Sequence, residues 1–338
     1  MLTAMSRTPF RVSFFGGGTD YPAWFHQHGG AVLSIAINKY CYIGGGVLPP
    51  FFGIRHRIVW SHIETVNSIA EILHPAVRGG LQAMGYDDTD AVELFHHGDL
   101  PARSGIGSSS AFAVGLINLL STMRGTTLDA HELATRAIDL EQNKLKENVG
   151  CQDQVASAYG GLNVINFERD GSFGVTPLCL PDATRKEFES WLMLFYTGSS
   201  RIASDFAHRH IRNLENNARQ LMRMREMVDI AVDMLKASKL EAFGSLLHEG
   251  WMLKRGLTDG TSTSVIDRIY EDARKAGALG GKLLGAGGTG FMAFVVPPDR
   301  QAAVRKALSH LTSVPICVDF TGSSIVYRNQ DLVGDAGR

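Results

Sequence analysis

Apolar and polar positions along the first third of the chain follow the pattern of β-strands. Arg11–Phe15 and Ala31–Ile43 are rich in β-branched and aromatic residues, with a glycine-rich turn between them. Phe51–Trp60 continues in that style, Ser61–Met84 has a weak helical periodicity, and Ala91–His97 predicts a short strand. The chain is therefore expected to open with a β-rich region.

The pattern changes to helices at Ser108. Residues Ser108–Met123 are apolar nearly all round, which is typical of a buried helix. Leu128–Leu145 predicts a second helix, since Asp129 and Glu132 have the spacing of a capping box at its start. Two helices are therefore expected to follow the β-rich region.

The second half of the chain predicts a separate lobe. After a strand at Leu162–Phe167, the proline-bounded segment Pro177–Lys186 is expected to connect the two lobes. The strands and helices predicted beyond it are Trp191–Tyr196, Ser204–Met234, Leu240–Gly256, Ser264–Lys275, Phe291–Val296, Asp299–Leu311, Val314–Phe320 and Ser323–Tyr327, with a glycine-rich loop over Gly280–Gly290. The tail of this series resembles a split βαβ, ferredoxin-like half. The sequence thus predicts an α+β protein with domains over residues 1–180 and 181–338.

Composition excludes several classes of function. Lys and Arg number 33 against 34 Asp and Glu, which provides no electrostatic footprint for nucleic acid or an anionic membrane. No apolar run approaches the ~18 residues of a membrane span. The 4 cysteines form no CxxC pair, which argues against a zinc site and a disulfide framework. A cytoplasmic protein is expected.

A glycine-rich cluster at Pro101–Ala111 leads directly into the predicted buried helix. Gly105 and Gly107 let the backbone approach oxygen atoms closely, and the N–H groups around Ser108 would point at a ligand ahead of the helix. The cluster lacks the order of a Walker A motif, so a different phosphate-binding turn is required. The alternative is that Ser108 merely caps the helix.

A later cluster, Gly285–Gly290, matches the GxGxxG pattern of dinucleotide-binding turns. That fingerprint needs a helix after it, whereas Phe291–Val296 predicts a strand. An NAD-dependent oxidoreductase is therefore disfavoured.

Several charged residues are candidates for chemistry. Glu141 lies on the face of its helix meant for the core, where a carboxylate needs a partner or a metal. Asp153 follows twelve positions later and could meet Glu141 at one site. The alternatives are a structural ion pair for Glu141, a helix cap for Asp153, an Asx-turn for Asp20 and a structural charge for Arg11, although a strand Arg beside a glycine-rich turn can also orient an acid.

Together these motifs resemble the GHMP kinase superfamily over roughly Ser6 to Arg328. Arg7–Tyr21, Pro101–Ala111 and Lys282–Phe291 are similar to its three motifs, in the same order. The third motif departs from the family pattern, with Thr289 where a glycine is usual. The resemblance implies a two-lobed fold, with an N-terminal lobe like domain 2 of ribosomal protein S5 and a ferredoxin-like C-terminal lobe.

The resemblance also implies roles for individual residues. Mg²⁺ would be held by Ser109 and Glu141, and Asp153 would lie beside the acceptor hydroxyl. Arg11 is the second residue expected to be catalytic. The residues expected to bind ATP are Pro101, Arg103, Ser104, Gly105, Ile106, Gly107, Ser108, Ser109 and Ser110. Those expected at the sugar are Asp20, Gly17, Gly18, Thr19, Lys39, Arg201, Gly287 and Gly288, with Lys282 as a further cation for a substrate phosphate.

Within the superfamily, the stretches Arg7–Asp20, Cys151–Gln154 and Phe195–Gly198 with Arg201 are most similar to the D-glycero-D-manno-heptose 7-phosphate kinases. Gly17 and Gly18 stand where galactokinases have Glu-His, which argues against galactose. The implied activity is ATP- and Mg²⁺-dependent phosphorylation of the anomeric hydroxyl of a sugar phosphate. Alternatives are a fucokinase-like or other small-sugar kinase, or a catalytically silent sugar or ATP sensor. A homodimer is compatible with the sequence, and no nucleic-acid or membrane partner is expected.

Overall fold

A computed structural model describes residues 2–198, 217–258 and 260–329. The strands of these residues are β1 (Leu2–Phe15), β2 (Gly30–Val47), β3 (His56–Val59), β4 (Ile63–Val66), β5 (Val92–Gly98), β6 (Leu162–Phe167), β7 (Phe173–Pro177), β8 (Leu192–Tyr196), β9 (Gly280–Leu283), β10 (Phe291–Val295), β11 (Thr312–Val314) and β12 (Ser324–Arg328). Their α-helices are α1 (Pro22–His28), α2 (Pro75–Ala83), α3 (Ser108–Met123), α4 (Ala130–Ile138), α5 (Gln152–Tyr159), α6 (Asp182–Ser190), α7 (Ala218–Lys236), α8 (Leu240–Leu257), α9 (Ser264–Lys275) and α10 (Gln301–Ala307).

The first lobe is built on the long strand β2. Strand β1 pairs antiparallel with β2 along most of its length, while β6 pairs with residues 30–35 of β2 and β5 with residues 41–47. Helix α3 packs on β1 and β2, and its buried residues include Leu116, Leu119 and Leu120. Packing on this sheet therefore fixes the position of α3, whose first turn follows the glycine-rich cluster Pro101–Ala111, called the middle glycine cluster below.

The second lobe is a four-stranded sheet in the order β11-β8-β10-β9, with every neighbouring pair antiparallel. Helices α7, α8 and α9 connect β8 to β9, and α10 connects β10 to β11. This succession of strand, helices, two strands, helix and strand is that of a ferredoxin-like half, as predicted from the sequence. One part of the prediction is wrong, because the strand predicted at Ser323–Tyr327 was expected in the second lobe. The observed strand, β12, pairs with β1 in the sheet of the first lobe.

An aromatic cluster joins the two lobes. The rings of Phe14, Phe188 and Phe243 meet edge to face, with centroids 5.3–5.6 Å apart. Each such pair adds about 0.5–1.5 kcal/mol beyond the burial of its area. Because Phe14 is near the end of β1, α6 and α8 are packed against the strand that leads into the first glycine-rich turn.

Some predicted elements differ from the structure. Ser61–Met84 is not one helix, because Ile63–Val66 pairs with β3 and the helix starts only at Pro75. The predicted strand Phe51–Trp60 is shorter, since Pro50–Phe52 forms a 3₁₀ turn and only β3 is extended.

Further differences lie in the second half. The predicted connection Pro177–Lys186 already contains the start of α6, and the loop predicted over Gly280–Gly290 begins with β9. The strand predicted at Val314–Phe320 lies earlier, at Thr312–Val314, because Pro315 has no backbone N–H to donate to a sheet. The first part of the helix predicted over Ser204–Met234 is outside the described residues, and α7 covers the rest.

Candidate active site

The middle glycine cluster forms a tight turn at the start of α3. Gly105 and Gly107 have φ values of 81° and 74°, in the left-handed region that glycine adopts without strain. Gly107, and not Ser108, is the N-cap residue, and no side chain caps the helix. The Ser108 hydroxyl instead accepts a hydrogen bond from the backbone N–H of Arg103 at 2.9 Å. The alternative that Ser108 caps the helix is wrong, and no side chain of the described residues caps the first N–H groups of α3.

The third glycine cluster supports this turn from the other lobe. A Cβ on Gly105 would lie 2.4 Å from the carbonyl oxygen of Leu284, and one on Gly285 would lie 2.5 Å from the Cα of Gly105. The backbone N–H of Phe291 donates to the carbonyl of Ser104 at 3.1 Å. The two glycine-rich segments are thus in backbone contact, which fixes the phosphate-loop candidate against the C-terminal sheet.

Arg11 and Asp153 form a bidentate ion pair beside the turn. The Arg11 Nε and Nη2 atoms donate to the two carboxylate oxygens of Asp153 at 2.6 and 2.7 Å. The third guanidinium nitrogen, Nη1, donates to the carbonyl of Gly105 at 2.7 Å. Because such a fork fixes both position and orientation, Arg11 holds the Asp153 carboxylate next to the glycine turn. Neither residue is therefore an isolated structural charge or a simple cap.

Glu141 is the centre of a second polar group at the start of α3. Its side chain is fully buried, and it accepts hydrogen bonds from Ser109 Oγ at 2.7 Å and Gln154 Nε2 at 2.6 Å. Burial raises the pKa of Glu141 to about 7, although the hydrogen bonds from Ser109, Ser110 and Gln154 oppose that rise. No ion pair of Glu141 is found in the described part of the chain, which argues against the structural ion-pair alternative.

A π-helix places Glu141. The helix predicted over Leu128–Leu145 is confirmed over residues 130–144, but it is α-helical only as far as Ile138 and continues as a π-helix over Asp139–Lys144. Such wider turns are rare and often occur at functional sites. Here the turn carries Glu141 towards Ser109.

Asp20 lies in the first glycine-rich turn, close to the same acids. It is 1% exposed, and its carboxylate accepts from the N–H of Gly18 at 2.9 Å and from that of Gln152 at 3.3 Å. Burial and then the charge of Asp153 raise the pKa of Asp20. The turn around it is structural in part, because the Thr19 hydroxyl donates to the carbonyl of Gly16 at 2.8 Å.

Three further predicted residues lie in the described part of the chain. Lys39 lies in a bulge of β2, between the residues that pair with Pro9 and Phe10. Gly287 and Gly288 pack on Thr261, which accepts a 3.2 Å hydrogen bond from the N–H of Gly288. Arg201 lies outside the described residues.

Lys282 is poorly suited to bind a substrate phosphate. Its ammonium donates to the carbonyl of Phe14 at 3.0 Å, and burial lowers its pKa to about 7. Thr289, the departure from the third motif, keeps a negative φ, since the only described residues other than glycine with positive φ are Arg103, Lys146 and Ser238.

Two further residues belong to this site and were missed from the sequence. Gln154 binds Glu141, as described above. Lys254 of α8 donates from its ammonium to the carbonyls of Leu283 and Gly285 at 2.8 and 2.6 Å. These two hydrogen bonds tie α8 to the third glycine cluster, and burial lowers the pKa of Lys254 well below its usual range. A lysine at the end of an amphipathic helix gives no signal of such a role.

Comparison with known proteins identifies both lobes. Residues 66–161 match the model of the GHMP kinases N terminal domain, and residues 231–314 match that of the GHMP kinases C terminal. The chain is 28% identical to a D-glycero-alpha-D-manno-heptose 7-phosphate kinase of Campylobacter jejuni, over 91% of this chain and 94% of that protein. It is also 28% identical to an L-fucokinase/L-fucose-1-P guanylyltransferase of Bacteroides fragilis, over 88% of this chain and 35% of that longer protein.

Solved structures have the same fold. A D-glycero-D-manno-heptose 1-phosphate kinase from Bacteroides thetaiotaomicron superposes with a TM-score of 0.79 at 22% identity, covering 96% of this chain and 98% of the other. A galactokinase of Lactococcus lactis superposes with a TM-score of 0.75 at 17% identity, covering 95% and 94%. The predicted two-lobed α+β fold is confirmed.

No helix in the described part of the chain combines the length and the apolar character that crossing a membrane requires.

Proposed function

The chain belongs to the GHMP kinase superfamily, and from this premise we propose that it transfers the γ-phosphoryl group of ATP to the anomeric hydroxyl of a heptose 7-phosphate. The observation that carries the proposal is the convergence of two acids on the glycine turn. Asp153 lies against Gly107, where a Cβ would be 3.3 Å from its Oδ2 atom, and Glu141 binds the Ser109 hydroxyl. Phosphoryl transfer asks a protein mainly for alignment and charge neutralisation, and these residues supply both.

The start of α3 is suited to the phosphates of ATP. Its uncapped N–H groups carry the positive end of the helix dipole, and Gly105 and Gly107 keep the approach free of side chains. The residues Pro101, Arg103, Ser104 and Ile106 would act mainly by shaping this turn, because their backbone groups hold it together.

The pair of Ser109 and Glu141 fits Mg²⁺. A hydroxyl and a carboxylate are hard oxygen ligands, which this ion prefers, and one or two such protein ligands suffice beside substrate phosphates. A bound Mg²⁺ would neutralise charge on the transferred phosphoryl group. The buried Glu141 carboxylate would gain a compensating charge, which the described residues do not provide.

Asp153 would orient the acceptor hydroxyl and receive its proton. Its two oxygens are held by Arg11, so the carboxylate faces a fixed direction next to the phosphate turn. Asp20 would bind a second hydroxyl of the sugar. The heptose is suggested by the Campylobacter relative, and the fucokinase relative supports L-fucose as the second candidate.

A coupled ADP-release assay tests the proposal. D-glycero-D-manno-heptose 7-phosphate, unphosphorylated hexoses, L-fucose and mevalonate are compared at equal concentrations, with ATP and Mg²⁺. We expect kcat/KM to be highest for the heptose 7-phosphate. Turnover of an unphosphorylated sugar alone would overturn the heptose assignment, and turnover of mevalonate alone would overturn the sugar. A protein that binds ATP and sugar in calorimetry but releases no ADP would be a sensor.

A further inference from the structure

The tripeptide Gln152-Asp153-Gln154 opens α5 and distributes its side chains over three parts of the site. Asp153 binds Arg11, and Gln154 binds Glu141. Gln152 turns to Asp20: its backbone N–H donates to Asp20 Oδ2 at 3.3 Å, and its side chain acts to lower the pKa of this carboxyl group, against the larger effect of burial. Gln152 is thus the member of the tripeptide on the side of Asp20, away from the metal-binding pair.

The side-chain amide of Gln152 has an oxygen without a hydrogen-bond donor among the described residues. Its Oε1 atom is buried and has no hydrogen-bond partner in the described part of the chain. An amide oxygen withdrawn from water without a donor is costly, and native structures rarely keep one without a reason. An amide oxygen can only accept a hydrogen bond, so Gln152 Oε1 needs a donor that the described residues do not provide.

Gly17 and Gly150 allow close packing around Gln152 and Asp20. A Cβ at Gly17 would lie 3.7 Å from Gln152 Nε2, so atoms beyond a Cβ there would press on the amide. A Cβ at Gly150 would lie 1.9 Å from Asp20 Oδ2, so only glycine lets the backbone approach that carboxylate. Both glycines therefore allow the backbone to lie directly against these two side chains.

We propose that Gln152 determines substrate specificity, with its Oε1 atom accepting a hydrogen bond from a sugar hydroxyl adjacent to the one that Asp20 binds. This inference rests on the proposed function and adds a substrate class to it. Two neighbouring acceptors select a polyol with vicinal hydroxyls, because each hydroxyl can donate one hydrogen bond. An acceptor molecule that brought a carboxylate to this position would meet a carboxylate and an amide oxygen, and would be rejected.

The test uses deoxy analogues of the sugar that the ADP-release assay identifies, with one hydroxyl removed in each. Wild-type enzyme should discriminate against one analogue by about 10- to 100-fold in kcat/KM, since its amide oxygen then stays unpaired. Gln152→Met, which keeps the length of the side chain and removes the acceptor, should lose that discrimination while the KM for ATP stays unchanged. Gln27→Met makes the same chemical change at an exposed position of α1 and should behave as wild type.

The outcomes separate the two hypotheses. Turnover of mevalonate alone by the wild type overturns the proposed function and this inference with it. Sugar turnover in which Gln152→Met retains the wild-type discrimination, lowers kcat/KM for every analogue by the same factor, or raises the KM for ATP overturns the role of Gln152 alone. Thermal unfolding of the variant within a few degrees of wild type ensures that the kinetics report the site.

Discussion

Gly107 is in van der Waals contact with Asp153. A Cβ at Gly107 would lie 3.3 Å from the Oδ2 atom of Asp153 and 3.2 Å from the Cγ atom of Arg11, and the backbone there has a φ of 74°. Gly107, the N-cap of α3, and Asp153, in the first turn of α5, therefore lie side by side. In the proposed mechanism this contact would set the position of the acceptor hydroxyl relative to the phosphates of ATP.

Gly107→Ala should lower kcat by more than its effect on stability explains. The positive φ costs an alanine roughly 1–2 kcal/mol, and the new methyl group presses on Asp153 and Arg11. We expect a fall in kcat of at least ~10-fold, because small displacements at a reacting centre are expensive. Gly125→Ala is the matched control: its φ is 77° and nothing lies within 4 Å of a Cβ there. Similar losses of Tm with equal kcat values in the two variants would show that the contact between Gly107 and Asp153 does not affect the reaction rate.

Asp153→Asn should reduce kcat by ~10²- to 10⁴-fold, the range typical of a general base. Arg11→Lys should reduce it less, because lysine keeps the charge but cannot make the two parallel hydrogen bonds. The double variant should be no slower than Asp153→Asn alone, since Arg11 acts through this carboxylate. Steady-state kinetics of the three variants check the order, and additive losses would show that Arg11 has a role of its own.

Much of the site could be predicted because its parts are local in sequence. The apolar run over Ser108–Met123 gave α3 its observed bounds, and the core-facing position of Glu141 follows from helical spacing to Leu133 and Ala137. The glycine turn before α3 needs only glycine chemistry and a helix start. These inferences use contacts within a few residues.

The rest depended on contacts between distant segments. The residues of the π-helix Asp139–Lys144 have the composition of an α-helix, and the contact that Glu141 makes from it is with Ser109, 32 positions earlier. The ties from Lys254 to the third glycine cluster and from Gln152 to Asp20 join residues 31 and 132 positions apart. The pairing of β12 with β1 likewise crosses the whole chain. No pattern of polar and apolar residues encodes such pairings.

Glu141→Gln should weaken the binding of Mg²⁺ without lowering the stability of the fold. The variant removes the charge that a divalent ion needs, so kcat should fall and the Mg²⁺ concentration for half-maximal rate should rise by ~10-fold or more. In metal-free protein the Tm should stay equal or rise, because a buried carboxylate is replaced by a neutral amide. Glu271→Gln, an exposed change on α9, serves as the control. An unchanged Mg²⁺ titration for Glu141→Gln would exclude this residue as a metal ligand.

Stability should rise with pH above neutrality because of Lys282. Burial lowers the pKa of this ammonium from 10.5 to about 7, so between these values the unfolded chain holds a proton that the folded protein lacks. The free energy of unfolding therefore increases with pH across this window, by up to about 1.4 kcal/mol per pH unit from this residue, and Lys254 acts in the same direction. Below about pH 7 both states are protonated and the contribution of Lys282 to the slope ends.

Lys282→Met tests this by urea unfolding from pH 7 to 9.5, with exposed Lys275→Met as the control. The Lys282 variant should show a shallower rise of the free energy of unfolding with pH than wild type, and the control should follow wild type. The variant should also be more stable than wild type near pH 7. At that pH, part of the wild-type population carries a buried positive charge on Lys282, next to the carbonyl of Phe14, and burying a charge costs free energy. Equal slopes for all three proteins would mean that Lys282 titrates as an ordinary surface lysine, in contact with water.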